Sequence, residues 1–189
     1  MPFNLPIALT WLRIAVIPFF VALFYLPESF VSIGLRDAIA AWVFIIAAIT
    51  DWLDGWLARR WNQTSSFGAF LDPVADKLMV TAALLVLLYL DRVGIFVALV
   101  MIGREIAISA LREWMAQIGA GASVAVHWLG KFKTAAQMVA IPCLLHDQDW
   151  FGLPVKTVGQ ILIVAAALLT VWSMFYYLRK AWPEIRARA

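Results

Sequence analysis

DWLDGWLARRWNQTSSFGAFLDPVAD, residues 51–76, decides the fold, because it lies between two apolar runs that are each too short to cross a membrane. Ala38 to Thr50 is uncharged for 13 residues before Asp51, and Leu78 to Leu90 for 13 residues after Lys77. Covering a hydrocarbon core of ~30 Å takes about 20 apolar residues. Each run therefore spans only if the adjoining aspartate-bearing segment is helical as well. Four of the chain's twelve acidic residues, Asp51, Asp54, Asp72 and Asp76, then lie just inside the membrane surface. Ionisable groups at that depth are costly and face a cavity or the bundle interior, so they mark a functional site.

The rest of the chain fits this reading. Hydrophobic residues make up 64% of 189 positions and charged residues 14%, against about 25% charged in soluble domains. Thr157 to Leu178 runs 22 residues without a charge, and Ile7 to Leu26 is broken only by Arg13. The expected architecture is all-α: a polytopic membrane protein of six transmembrane helices near 7–26, 37–59, 69–90, 93–115, 131–147 and 156–178. A single domain over 1–189 is expected, with no soluble domain attached and no nucleic acid as partner. The start lacks a basic n-region and a small-residue cleavage site, so the first helix is expected to be retained.

Charge sets the orientation. Arg36, Arg92 and Lys156 fall on one side of the six spans, and the other twelve basic residues fall on the opposite side. The positive-inside rule then puts both termini and the aspartates in the cytoplasm. Trp52, Trp56, Trp61, Trp114, Trp128 and Trp182 sit near the same span ends, where indole rings prefer the headgroup level. The tail YYLRKAWPEIRARA reads as a basic end lying against anionic lipid. Cys143 is alone and apolar in setting, and neither His127 nor His146 has a neighbour suited to zinc.

Helical phase brings the acids together. Asp51, Asp54, Gly55 and Ala58 share a stripe about 100° wide, and Gly68, Asp72 and Asp76 share one about 80° wide. The loop RWNQTSS is short enough to make the two helices antiparallel neighbours, so the four carboxylates can converge. Such a cluster repels itself unless a cation sits among them, and an all-oxygen set suits Mg²⁺ or Mn²⁺. Gly55, Ala58 and Gly68 leave a slot on the same faces, although small residues also serve close helix packing. Pro73 leaves two starts open for the second helix. It begins near Phe67 with Ser65 or Ser66 as cap, or at Pro73 with Asp72 as cap.

The fourth span carries the opposite sign. Arg104 and Arg112 in IGREIAISALREWMA stack along one side of a helix, and GKFKTAAQ adds Lys131 and Lys133. A salt bridge from Arg104 to Glu105 or to one of the four aspartates is one reading. A phosphate pocket beside the metal site is the sharper one, because these four cations exceed what Glu105 and Glu113 neutralise.

Asp51-x-x-Asp54-Gly55-x-x-Ala58-Arg59, then Gly68-x-x-x-Asp72-x-x-x-Asp76, resembles the signature of the CDP-alcohol phosphatidyltransferases, with all eight signature positions filled. FNLPIALTWLR, REIAISALREWMA and GKFKTAAQMVA look like the phosphatidylglycerophosphate synthase branch of that family. The resemblance covers most of the chain and is weakest over 146–160 and the tail. It implies a six-helix enzyme of the bacterial inner membrane, a homodimer, transferring the phosphatidyl group of CDP-diacylglycerol to sn-glycerol 3-phosphate and releasing CMP. By that likeness Asp51, Asp54, Asp72 and Asp76 hold the metals. Gly55, Ala58, Arg59 and Gly68 line the nucleotide slot, Asp76 is the general base, and Arg104, Arg112, Lys131 and Lys133 grip the acceptor phosphate. The alternatives are another acceptor (as in cardiolipin or phosphatidylinositol phosphate synthases) or, from a different class, a divalent-cation transporter.

Overall fold

In a computed structural model the described residues are 5–61, 65–119, 128–149 and 152–188. They form six helices: α1 (Leu5–Ala22), α2 (Ile33–Arg60), α3 (Ser66–Tyr89), α4 (Ile95–Gln117), α5 (Trp128–His146) and α6 (Val155–Arg188), with a 3₁₀ turn at Leu23–Tyr25 after α1. No strand occurs among the described residues. Each expected span has its helix, and the aspartate-bearing segments are helical, as the two short apolar runs require.

Among the described residues three helices are long and apolar enough to cross a membrane, over Ile7–Tyr25, Ile33–Leu57 and Val155–Arg186. Large apolar side chains cover the outside of the bundle: Phe19, Phe96 and Leu168 are all more than two-thirds exposed. That surface is stable only against lipid, and the chain is an integral membrane protein.

Side-chain contacts show that successive helices alternate in direction. Arg13 of α1 meets the C-terminal third of α2, whereas Tyr25 stacks on Tyr89 at the end of α3. The aspartates and the start of α1 therefore share one end of the bundle, the acid end. α1 packs against both α2 and α3 more extensively than those two pack on each other. The short loop thus joins two helices whose closeness is mediated by α1, an arrangement that loop length alone does not reveal.

At the far end the chain is closed by a clasp around Arg92, in the α3–α4 connection. Its Nη1 donates to the carbonyls of Leu145 at 2.7 Å and Leu144 at 3.2 Å, the last turn of α5. Its Nη2 donates to buried Asp37 of α2, and its Nε lies 3.3 Å from Asp147. Arg36 reaches Asp37 and Lys156 reaches Asp147. The three basic residues assigned to this side by the charge count thus meet there.

α3 starts at Ser66, not at Pro73. Ser65 is its cap, its Oγ accepting the Gly68 N–H at 3.0 Å. Pro73 lies inside the helix with its ring exposed, and it removes the N–H that would bond the Ala69 carbonyl one turn earlier. α6 outruns its expected end at 178 by ten residues. Ala181 of that extension, with Tyr177 just before it, packs against Ile108 and Met115 of α4. The tail is therefore docked on protein along one face, beyond the lipid contact that its basic charge suggests.

Candidate active site

The acid end holds two charge clusters, one built on α1, α2 and α3 and the other on α4, α5 and α6. In the first, Asp54 is buried and Asp51 half-buried. Arg13, itself 4% exposed, forks between them. Its Nη1 donates to Asp51 Oδ1, and its Nη2 to Asp54 Oδ2 at 2.6 Å. One turn earlier on the same face of α1, Thr10 Oγ1 donates to Asp72 Oδ1 at 2.7 Å. Asp54 is within electrostatic reach of Asp51 and Asp72, and Asp76 lines one small cleft together with Arg13 and Asp51. Asp51 and Asp54 thus share Arg13, Asp72 is held from the same face of α1, and Asp76 lies by the cleft that Arg13 and Asp51 line.

Among the described residues no three acidic, histidine or cysteine side chains are already closed into a metal-binding group. The donor chemistry nevertheless fits a divalent cation. Every candidate ligand atom is a carboxylate oxygen, and the hydrogen bonds from Thr10 and Arg13 take one oxygen each of Asp51, Asp54 and Asp72. Gly68 is buried where α3 meets α1. A Cβ there would stand 3.2 Å from Ser65 Oγ and 3.6 Å from Ile7 Cγ1, so close packing already accounts for this glycine. The side chains of Ala58 and Arg59 lie outside the described residues, and Gly55 is half-buried on the Asp54 turn.

In the second cluster Arg104 and Arg112 do stack along one side of α4, and what they face is Tyr177 of α6. The guanidinium of Arg112 lies 5.0 Å and that of Arg104 5.8 Å from the tyrosine ring centre. Arg112 Nη2 donates to the Tyr177 hydroxyl at 3.1 Å, and Arg104 Nη2 to Ser173 Oγ at 3.0 Å. Glu105 takes Lys133 as its close partner and Arg104 as a longer one at 3.4 Å. Lys133 is 1% exposed, so its ammonium lies inside the bundle against Glu105 rather than on the surface. The side chain of Lys131 lies outside the described residues. Both arginines keep a buried Nε–H without a hydrogen-bond partner among the described residues. Such a donor costs about 1–3 kcal/mol unless something accepts from it.

Asp76 joins the two clusters. It is in electrostatic reach of Asp51 and Arg13 on one side and of Glu105 and Lys133 on the other. A carboxylate so placed feels the charges of both halves. Nothing in the sequence singles out Thr10, Ser173 or Tyr177, and by charge Arg13 counts as one more basic residue of the aspartate side. The signal for Arg13 was available, since a charge inside an apolar helix requires a partner. Ser173 and Tyr177 carry no such mark in an uncharged run.

Comparison with known proteins gives the same placement. The CDP-alcohol phosphatidyltransferase family model matches residues 3–172. A protein of Pectobacterium atrosepticum named CDP-diacylglycerol–glycerol-3-phosphate 3-phosphatidyltransferase is 55% identical over 183 residues, 96% of each chain. Proteins of that name from Shigella flexneri serotype 5b and Escherichia coli K12 are 51% and 50% identical over 187 residues, 98% of each chain. The family is in general dependent on a divalent cation. Two aspartate-bearing helices set against α1, a family model over residues 3–172 and relatives alike along nearly their whole length leave one placement: the chain belongs to the CDP-alcohol phosphatidyltransferase family.

Proposed function

We propose that the chain is a CDP-diacylglycerol–glycerol-3-phosphate 3-phosphatidyltransferase, producing phosphatidylglycerophosphate and CMP. The name carried by relatives at 50–55% identity supports the activity. The observation that carries the mechanism is the position of Asp76 between the acidic and the basic cluster.

A divalent cation, Mg²⁺ or Mn²⁺, held by Asp51, Asp54, Asp72 and Asp76 would draw charge from the pyrophosphate and from departing CMP. The residues supply the rest. Gly55, Ala58, Arg59 and Gly68 line the nucleotide slot. Arg104 and Arg112, with donors to spare, and Lys131 and Lys133 hold the acceptor's phosphate and so fix its hydroxyl near Asp76. Asp76 takes the proton of the glycerol 1-hydroxyl as that oxygen bonds to the phosphorus of the phosphatidyl group. The bond from that phosphorus to CMP breaks in the same displacement.

In the membrane, all six helices cross, the chain forms one domain over 1–189, and the acid end and both termini face the cytoplasm of a bacterial inner membrane. The twelve-to-three division of basic residues supports that orientation. The working unit is a homodimer embedded in membrane lipid, in keeping with the family resemblance.

The test is an assay with membranes containing the protein, Mg²⁺, CDP-diacylglycerol and labelled glycerol 3-phosphate. CMP release with label in a phosphatidylglycerophosphate product is expected. Label left in the aqueous phase, with phosphatidylglycerol or inositol phosphate consumed in its place, would reassign the acceptor.

A further inference from the structure

The proposed reaction gives α1 no chemical role, yet α1 makes the closest contacts to the aspartates. Thr10 is fully buried and Arg13 is 4% exposed. Being three residues apart, they project from one face of the helix. Thr10 holds one oxygen of Asp72, and Arg13 holds one oxygen each of Asp51 and Asp54. Three of the four signature carboxylates are thus fixed from a single helical turn that lies outside the signature.

We infer that Thr10 and Arg13 are positioning residues that preset Asp51, Asp54 and Asp72 for a divalent cation. Each donor occupies one carboxylate oxygen and sets the plane of the group, so the second oxygen is aimed before any ion arrives. The fork of Arg13 matters as much as its charge. Two Nη atoms reach two different aspartates, on successive turns of α2, and an ammonium cannot reproduce that span. The charge has its own effect, because like-charged carboxylates at this depth repel and Arg13 offsets two of them. Outer partners of this kind typically change metal affinity by about 10–100-fold when removed. The inference rests on the metal reading of the four aspartates.

The deciding measurement is Mn²⁺ affinity of the purified protein in detergent, without nucleotide, read from the free-ion paramagnetic resonance signal. Thr10→Val keeps the shape and removes the donor. Arg13→Lys keeps the charge and removes the fork, and Arg13→Gln removes both. Each is expected to weaken Mn²⁺ binding at least about ten-fold while leaving the KM for glycerol 3-phosphate unchanged, which a general loosening of the fold would raise. Wild-type affinity in Thr10→Val or Arg13→Lys would overturn the inference. Tighter binding in Arg13→Gln would also do so, by making Arg13 a competitor of the ion rather than its support. If Arg13→Gln fails to fold, the other two variants carry the test. Wild-type protein that binds no Mn²⁺ would overturn the metal reading together with this one, whereas binding that is equal in all variants overturns this one alone.

Discussion

Both ends of the bundle bury arginine against aspartate, and the two ends use it differently. At the far end every nitrogen of Arg92 reaches a partner: two backbone carbonyls, Asp37 and Asp147. At the acid end Arg13, Arg104 and Arg112 each keep a buried Nε–H that no group among the described residues accepts. A saturated guanidinium ties elements together and has nothing left to offer a ligand. An incompletely satisfied one retains donors, at a cost in stability, for an anion that arrives later. Counting charges does not separate these cases, since both ends hold carboxylates and cations in close pairs. Counting satisfied donors does: the far-end guanidinium is saturated, and those at the acid end keep spare donors, as the proposed function requires.

The sharpest way to break this division is at Asp76. Asp76→Asn keeps the shape and removes the proton acceptor. Turnover should fall about a hundred- to ten-thousand-fold, with thermal unfolding in detergent close to wild type. Near-normal turnover would remove Asp76 from the base role. The counterpart at the far end is Arg92→Met, which strands the Asp37 carboxylate. Losing one partner of a buried pair costs about 3–5 kcal/mol. The lower figure is expected because Arg36 stays 3.3 Å from Asp37. Unfolding temperature should drop while the KM values of the folded fraction hold. A raised acceptor KM would mean that the two ends are coupled.

How much of this the sequence could show follows from the range of each interaction. Helical phase within one segment is local, so the Asp51–Asp54 and Asp72–Asp76 stripes and the stacking of Arg104 on Arg112 were legible. Apolar run length is equally local, and each expected span has its helix, three of them long and apolar enough to cross a membrane among the described residues. The partners of Arg13 lie 38 and 41 residues away, and no periodicity reports a contact at that separation. Tyr177 and Ser173 pair with arginines 65 and 69 residues distant. They sit just past the residues that the family model matches. Pro73 was ambiguous because both starts of α3 satisfy local rules, and the Ser65 cap settles it.

Arg112 tests whether the spare donors are used. Arg112→Ala removes a guanidinium from the Tyr177 ring and, on the proposed mechanism, from the acceptor phosphate. A charged hydrogen bond is worth about 1.5–3 kcal/mol, so the KM for glycerol 3-phosphate should rise roughly ten- to hundred-fold. The KM for CDP-diacylglycerol should not move, and an effect confined to that lipid would shift Arg112 to the donor side.

The smallest effect expected is at Gly159, where α6 crosses α5 next to the far-end clasp. A Cβ there would stand 2.9 Å from Leu144 Cγ and 3.0 Å from Cys143 Cβ, closer than carbon atoms pack. Leu144 is fully buried and its carbonyl is held by Arg92, so it has little room to yield. Gly159→Ala must therefore part the two helices by a few tenths of an ångström, at about 1–3 kcal/mol for an overpacked contact. If the far end is scaffold alone, the loss appears as a lower unfolding temperature, with kcat and both KM values intact. If kcat falls as well, α6 transmits the strain to Ser173 and Tyr177, and thereby to the arginines they hold. The division between the ends would then be one of contacts but not of mechanics.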